Sequence, residues 1–211
     1  MLRRFFWLGL LMAVILAAST ALAGPVSSKL TPEELAKVKA GQIVVKNNIQ
    51  NGSEKGYGVA YGIMKGSVDD FWKVIFDYSH YLEFYPRLEK VTPVSVTASQ
   101  AIVTFDMDAT IKTMTYTTVG TIDADRMGMT WVLDMNRPHK FFKANDGHWK
   151  LEQLEPGVIL AEYLVSVSLD LGPFSGMATK IVNSMAKDDL PDVINCTRKR
   201  LESGGTWKRT K

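Results

Sequence analysis

The apolar positions of this chain change period several times, and each change predicts an element. "TPEELAKVKAG" (31–41) predicts a short helix, with Thr31 as N-cap, Pro32 at the first position, Glu34 closing a capping box and Gly41 as the stop. Residues 24–30 ahead of it read as flexible. "QIVVKNNIQ" (42–50) and "YGVAYGIM" (57–64) predict two strands joined by the turn-rich "NGSEKG", with Tyr57, Val59, Tyr61 and Ile63 sharing one face. In "SVDDFWKVIFD" (67–77) the period becomes 3.6. Val68, Phe71, Trp72 and Ile75 form one helical stripe, started by Ser67 with Asp70. The aromatic stretch "FDYSHYLEFYPRLEKV" (76–91) follows. Ser79 is expected to cap a second short helix, which ends before Pro86 because proline turns Tyr85 away from helical geometry.

From Leu88 to Leu169 the period is two. Val103, Phe105, Met107 and Ala109 alternate with Thr104, Asp106 and Asp108. Met127, Met129, Trp131, Leu133 and Met135 share a face, as do Trp149 with Leu151 and the odd positions from Ile159 through Tyr163 and Val165 to Leu169. Turn signals separate these runs, so the region predicts a meander of antiparallel strands with one apolar face. After "DLGPFSG" the helical period returns in Met177, Ile181, Met185, Leu190 and Ile194. Pro191 should kink this helix near Lys187, whose carbonyl loses its partner. The tail "GGTWKRTK" reads as frayed and basic. The order is α+β. Only the terminal helix is long enough to cover the apolar face of such a sheet, and the inward faces would then line the space between them.

Composition modifies this picture at the ends. Arg3 and Arg4, an apolar run over residues 5–18 and Ala21-Leu22-Ala23 have the order of a secretory signal peptide cleaved before Gly24. The expected protein is therefore periplasmic or secreted. Removal of residues 1–23 leaves 188 residues, enough for one core, and lowers the net charge from +3 to +1 because two arginines and no acid are lost. So neutral a chain offers no electrostatic footprint for nucleic acid. Cys196 is the one cysteine, so no internal disulfide is expected; it reads as a buried thiol, with an intermolecular bond as the alternative. No Cys/His metal spacing and no glycine-rich phosphate loop are present, so no metal or cofactor is expected.

The stretch "GIMKGSVDDFWKVIFDYSHYLEFYPRLEKVTPV", with Phe71, Trp72, Asp77, Tyr81, Phe84 and Pro86, resembles the N-terminal signature of the START-like (SRPBCC) superfamily, which includes the polyketide cyclase and coenzyme-Q-binding families. "DLPDVINCTRKRLES", with its proline inside the last helix, is similar to the family's C-terminal end. The resemblance spans residues 44–203. It implies a helix-grip fold: a curved antiparallel sheet around a long C-terminal helix, with two short helices near the N-terminal end and an apolar cavity inside. It also implies a lipid, sterol, quinone or polyketide ligand. The expected division is a signal peptide at 1–23, an N-terminal segment with a short helix at 24–40, the helix-grip domain at 41–203 and a basic tail at 204–211.

Eight methionines remain after signal removal, and flexible thioethers suit a cavity that adapts to an irregular apolar ligand as well as they suit ordinary core filling. Phe105, Met107, Tyr116 and Met129 are the candidate ligand-binding residues on the central strands. Trp131, Tyr163, Val165 and Met185 are the others, and no catalytic residue is named. His80, His139 and His148 read as surface or supporting histidines, and Asp106 with Asp108 as solvent-facing. "NRPHKFFKA" sets Phe141 and Phe142 among Arg137, Lys140 and Lys143, which suits transient membrane contact or packing on the cavity's end; Phe174 could face it as a gate. The leading expectation is an exported, non-enzymatic carrier of a hydrophobic ligand. The alternatives are a cyclase-like enzyme using Tyr116, Tyr163 and Glu162 inside the cavity, and an interaction module with a filled core.

Overall fold

The computed structural model describes residues 24–49, 55–109, 113–172 and 175–210. The expected signal peptide and the Phe174 gate lie outside these residues. Helices α1 (Pro32–Lys39), α2 (Val68–Ile75) and α3 (Tyr81–Phe84) precede α4 (Ser175–Ser184) and α5 (Leu190–Glu202). The strands are β1 (Val44–Ile49), β2 (Lys55–Lys65), β3 (Leu88–Val96), β4 (Gln100–Asp108), β5 (Thr113–Ile122), β6 (Gly128–Leu133), β7 (Phe142–Glu155) and β8 (Val158–Leu169). They form one open, curved antiparallel sheet in the order β1-β2-β8-β7-β6-β5-β4-β3. The terminal helix lies across its concave face, which is the helix-grip fold. β3 is an edge strand, and it carries Pro93 beside a register shift, where a missing N–H is tolerated.

Local chemistry explains the elements. Thr31 caps α1 in a complete capping box with Glu34, and Ser67 accepts the Asp70 N–H at the start of α2. Phe71, Trp72 and Ile75 are buried, so the stripe faces the core. Ser79 caps nothing: its hydroxyl donates to Asp77, and a 3₁₀ turn at Tyr78–His80 leads into α3 without a side-chain cap. Tyr85 is extended ahead of Pro86, as proline demands. The kink at Pro191 takes the form of a π turn over Met185–Asp189, where the Leu190 N–H reaches the Met185 carbonyl five residues back. Pro191 sits in the first turn of α5, so its missing N–H falls at this irregularity. Gly62 lets α5 approach the sheet. A Cβ there would stand 2.4 Å from Ile194 Cγ2.

Three expectations about surfaces are corrected, those for the N-terminal segment, the tail and Met135. Val59, Tyr61 and Ile63 face outward on β2, because each pairs with an outward residue of β8. Their cover is the N-terminal segment, which is packed rather than flexible: Val26, Leu30 and Val38 are buried with Val59, Tyr61 and Leu160. Tyr57, beyond that cover, is exposed. The tail is docked rather than frayed. Arg200 donates to the Trp207 carbonyl and to Glu83, Lys208 also reaches Glu83, and Arg209 pairs with Asp192. Met135 lies past the end of β6 and is exposed, so the inward face there stops at Leu133.

A buried charge fastens the N-terminal segment. Glu162 Oε1 accepts from Lys29 Nζ at 2.7 Å and lies 2.5 Å from His148 Nε2, while Ser27 donates twice to Glu152. Burial pushes the Glu162 carboxyl up, but the hydrogen bonds and charges of His148 and Lys29 outweigh it and hold the group at about 2, against an ordinary 4.5. The folded state therefore binds this proton less readily than the unfolded one. The stabilisation is complete above pH 4.5 and is lost as pH falls from there toward 2. Glu162→Gln should lower stability at pH 7 by about 1.5–3 kcal/mol, the range for hydrogen bonds to charged groups. It should also flatten the acid limb of melting temperature against pH. An unchanged acid limb would contradict the assignment.

Candidate ligand-binding cavity

Between the sheet and the helices α2, α3 and α5 lies an aromatic-walled cavity. All eight candidate residues lie on its wall: Phe105 and Met107 from β4, Tyr116 from β5, Met129 and Trp131 from β6, Tyr163 and Val165 from β8, and Met185 from the π turn. The alternation of β4, β6 and β8 turns each of their residues to the concave side. Trp131 stacks on Tyr163 with ring centres 5.5 Å apart, and Tyr163 meets Trp149 at 4.6 Å. Phe105 stacks on Tyr116 at 5.3 Å. Gly147 makes room for this wall. A Cβ there would be 2.2 Å from both Trp131 and the Leu164 carbonyl, so no larger residue fits.

The aromatic corner also contributes to the wall. Phe76 and Phe84 pack the corner, but Tyr78, Tyr81 and Tyr85 reach the cavity. Tyr81 donates its hydroxyl to the Ile75 carbonyl and stacks on Tyr85 with parallel rings 5.0 Å apart. The Tyr85 hydroxyl donates to that of Tyr163 at 3.5 Å. Burial drives both phenols upward, Tyr163 to about 12, so each keeps its proton near neutrality and acts as a donor. Thr118 and Asn145 add polar groups to the wall.

At the partly exposed rim stands an ion pair that sequence reasoning missed. Arg87 Nε is 2.7 Å from Asp189 Oδ1, and Nη2 donates to Ser184 Oγ at 2.6 Å. Arg87 has φ 56°, in the left-handed region, which costs a non-glycine residue about 1–3 kcal/mol. Its carbonyl is fixed by the Asp108 N–H. Burial raises the Asp189 carboxyl to about 6, opposed by Arg87 and assisted by Asp188 and Asp192. The signal for this pair was the proline kink: the π turn that resolves it carries both Met185 and Asp189 to the wall.

Other candidates separate from the cavity. Glu162 faces the opposite side of the sheet, in the cluster under the N-terminal segment, so it cannot serve cavity chemistry. His148 is in that cluster, His80 lies against Asp77 at 2.6 Å, and His139 against the Arg137 carbonyl. Asp106 accepts from Thr115 on the outward face. Phe142 is not a loop tip: it opens β7 and is buried beside Tyr116, with ring centres 4.8 Å apart. Cys196 is a free, buried thiol. Among the described residues, no group of three or more His, Cys, Asp or Glu side chains is placed to hold a metal ion.

The family model described as "Polyketide cyclase / dehydrase and lipid transport" matches residues 64–198, the span from the end of β2 to α5. The chain belongs to this family. Family members handle hydrophobic ligands, in polyketide chemistry or in lipid transport. No curated protein matches the chain by sequence. Among solved structures, it is similar to the Zhui aromatase/cyclase from Streptomyces sp. R1128, at 15% identity, 70% of this chain, 94% of that chain and a TM-score of 0.61. It is also similar to the STAR-related lipid transfer protein from Xanthomonas axonopodis, at 15% identity, 76% of this chain, 93% of that chain and a TM-score of 0.60. Human StAR-related lipid transfer protein 5 aligns at 10% identity over 77% of this chain and 83% of its own, with a TM-score of 0.57. At these identities the likeness establishes the fold.

Proposed function

We propose that the protein is an exported carrier that binds a hydrophobic small molecule or lipid in the cavity. The observation that carries the reading is the convergence of apolar and aromatic side chains from β4, β5, β6, β8 and the π turn on one space with, among the described residues, a single charged pair at its rim. Apolar walls with a few placed polar groups are the usual chemistry of small-molecule sites. The space between atoms is about 950 Å³, part of it open to solvent, but only about 110 Å³ is wide enough to take the centre of a water molecule. A ligand must therefore displace side chains on entry. Met107, Met129 and Met185 are unbranched and can repack at low cost.

A second reading, a cyclase-like enzyme, is supported by the Tyr85–Tyr163 contact inside the cavity. Both phenols hold their protons too tightly to act as bases near neutrality, which favours recognition of a ligand oxygen over proton abstraction.

Solvent extraction of the purified protein followed by mass spectrometry should release one apolar molecule per chain, and fluorescent lipids or quinones should bind. Neither result appearing would remove the carrier reading. Export rests on the order of residues 1–23 and should give an N-terminus at Gly24 in the secreted or periplasmic fraction; recovery of the chain in the cytoplasm with Met1 retained would oppose it. Membrane exchange is proposed at the loop before β7, where Lys140 lies over the Phe141 ring at 5.2 Å. Lys140→Glu should reduce cosedimentation with anionic liposomes.

A further inference from the structure

We propose that Arg87 is the headgroup site of the cavity, taking the anionic end of an amphiphile whose apolar part lies against Trp131 and Tyr163, with Asp189 holding the place of that anion in the empty protein. The inference rests on the carrier reading and specifies its ligand: a single apolar body ending in a carboxylate or phosphate.

Three observations carry it. The first is position. Arg87 and Asp189 both line the cavity, yet they retain partial exposure (side chains 26% and 16%), whereas the far wall at Met129, Trp131 and Trp149 is buried. Charge therefore stands at one end of an apolar space, the arrangement that suits an amphiphile.

The second is geometry. Arg87 reaches its place from a left-handed backbone held by the Asp108 N–H. Its guanidinium presents Nε to a carboxylate oxygen and Nη2 to a hydroxyl, the forked pattern that matches a carboxylate or phosphate.

The third is the counter-ion. Asp189 is supplied by a π turn, an irregular piece of helix beside the opening. Its charge is felt by Tyr116 and Tyr163 across the cavity, and burial disfavours its ionised form. When an anion takes Arg87, Asp189 can therefore take up a proton instead of remaining as an unpaired buried charge. An incoming anion would replace Asp189, and the Tyr85 and Tyr163 hydroxyls are further polar groups on the same cavity wall.

The test compares the full mature chain with Arg87→Met and Asp189→Asn, using dodecanoate, dodecyl phosphate and dodecanol as probes in calorimetric titrations. Arg87→Met should weaken the better anionic probe at least ~10-fold, about 1.4 kcal/mol, and leave dodecanol within ~2-fold. Asp189→Asn, which keeps the side chain's size, should tighten both anionic probes by removing their competitor. The tighter of the two anions in the wild type names the headgroup as carboxylate or phosphate. If Arg87→Met does not fold, Asp189→Asn decides alone. Equal losses on anionic and neutral probes, or weaker anion binding by Asp189→Asn, would overturn the headgroup site. Binding of dodecanol with no preference for either anion would remove the headgroup site while the carrier reading stands. Binding of none of the three would remove both.

Discussion

Replacing Phe84 by alanine should cost ~3–5 kcal/mol, the range for a fully buried aromatic, and lower the melting temperature by about 10 °C for a domain of this size. Phe84 is 0% exposed. Its ring meets Tyr81 at 5.3 Å and Tyr85 at 6.1 Å, and the Arg200 guanidinium lies over it at 5.3 Å. Arg200 is itself buried and holds Glu83 and the Trp207 carbonyl. Truncation therefore leaves a cavity that α5 and the tail cannot easily close, because Arg200 is fixed on both sides. Urea denaturation of both proteins measures the difference. A loss below ~1.5 kcal/mol, outside that range, would mean that the corner collapses around the gap and does not set the position of α3.

The largest effect on ligand binding is expected from Gly120→Phe. Gly120 lies on β5 at the cavity wall, and a Cβ there would meet the end of Met129 at 3.5–3.6 Å, an ordinary contact with a flexible side chain. The backbone needs no glycine here, so the ring should enter the cavity and leave the sheet intact. With only about 110 Å³ wide enough for water, an added phenyl group removes most of the space. Binding of an apolar probe should weaken at least ~100-fold, about 2.7 kcal/mol, with circular dichroism unchanged. Retained affinity in a folded variant would place the ligand elsewhere. Gly147→Ala makes the contrast: the backbone carbonyl of Leu164 blocks its Cβ, so it should lose stability first.

The course of the strands was legible because alternation has only two faces to choose between. Phe105, Met107, Met129, Trp131, Tyr163 and Val165 all fall on the concave side that their period assigned. Period alone cannot say which face of a hairpin meets which layer. Val59 and Tyr61 are as apolar as the inward residues, and only the N-terminal segment settled on them reveals that they point outward. Glu162 was misplaced against the period itself: it alternates with Tyr163, so with Tyr163 inward it points outward, where Lys29 and His148, distant in sequence, hold it. The Arg87–Asp189 pair depends on a contact across about a hundred residues and on a π turn, neither of which leaves a periodic trace. The tail misled because basic residues at a chain end usually stay in solvent, whereas Lys208 and Arg209 have carboxylates waiting on α3 and α5.

The strand order has a kinetic consequence. β3 to β8 pair with their neighbours in sequence, and each hairpin can close locally. β2 must instead pair with β8, Lys55 opposite Ser168 and Lys65 opposite Val158, after the whole meander has been made. Such pairings are slow because the loop must close before any contact rewards it, and domains dominated by them fold on the order of milliseconds to seconds. Until then the meander ends in an unsatisfied strand, β8, with an apolar inner face and a row of free backbone groups. The hairpin β1–β2 is thus the last piece of the sheet, and the time it takes to arrive is the interval in which the chain is open to pairing with another copy of itself.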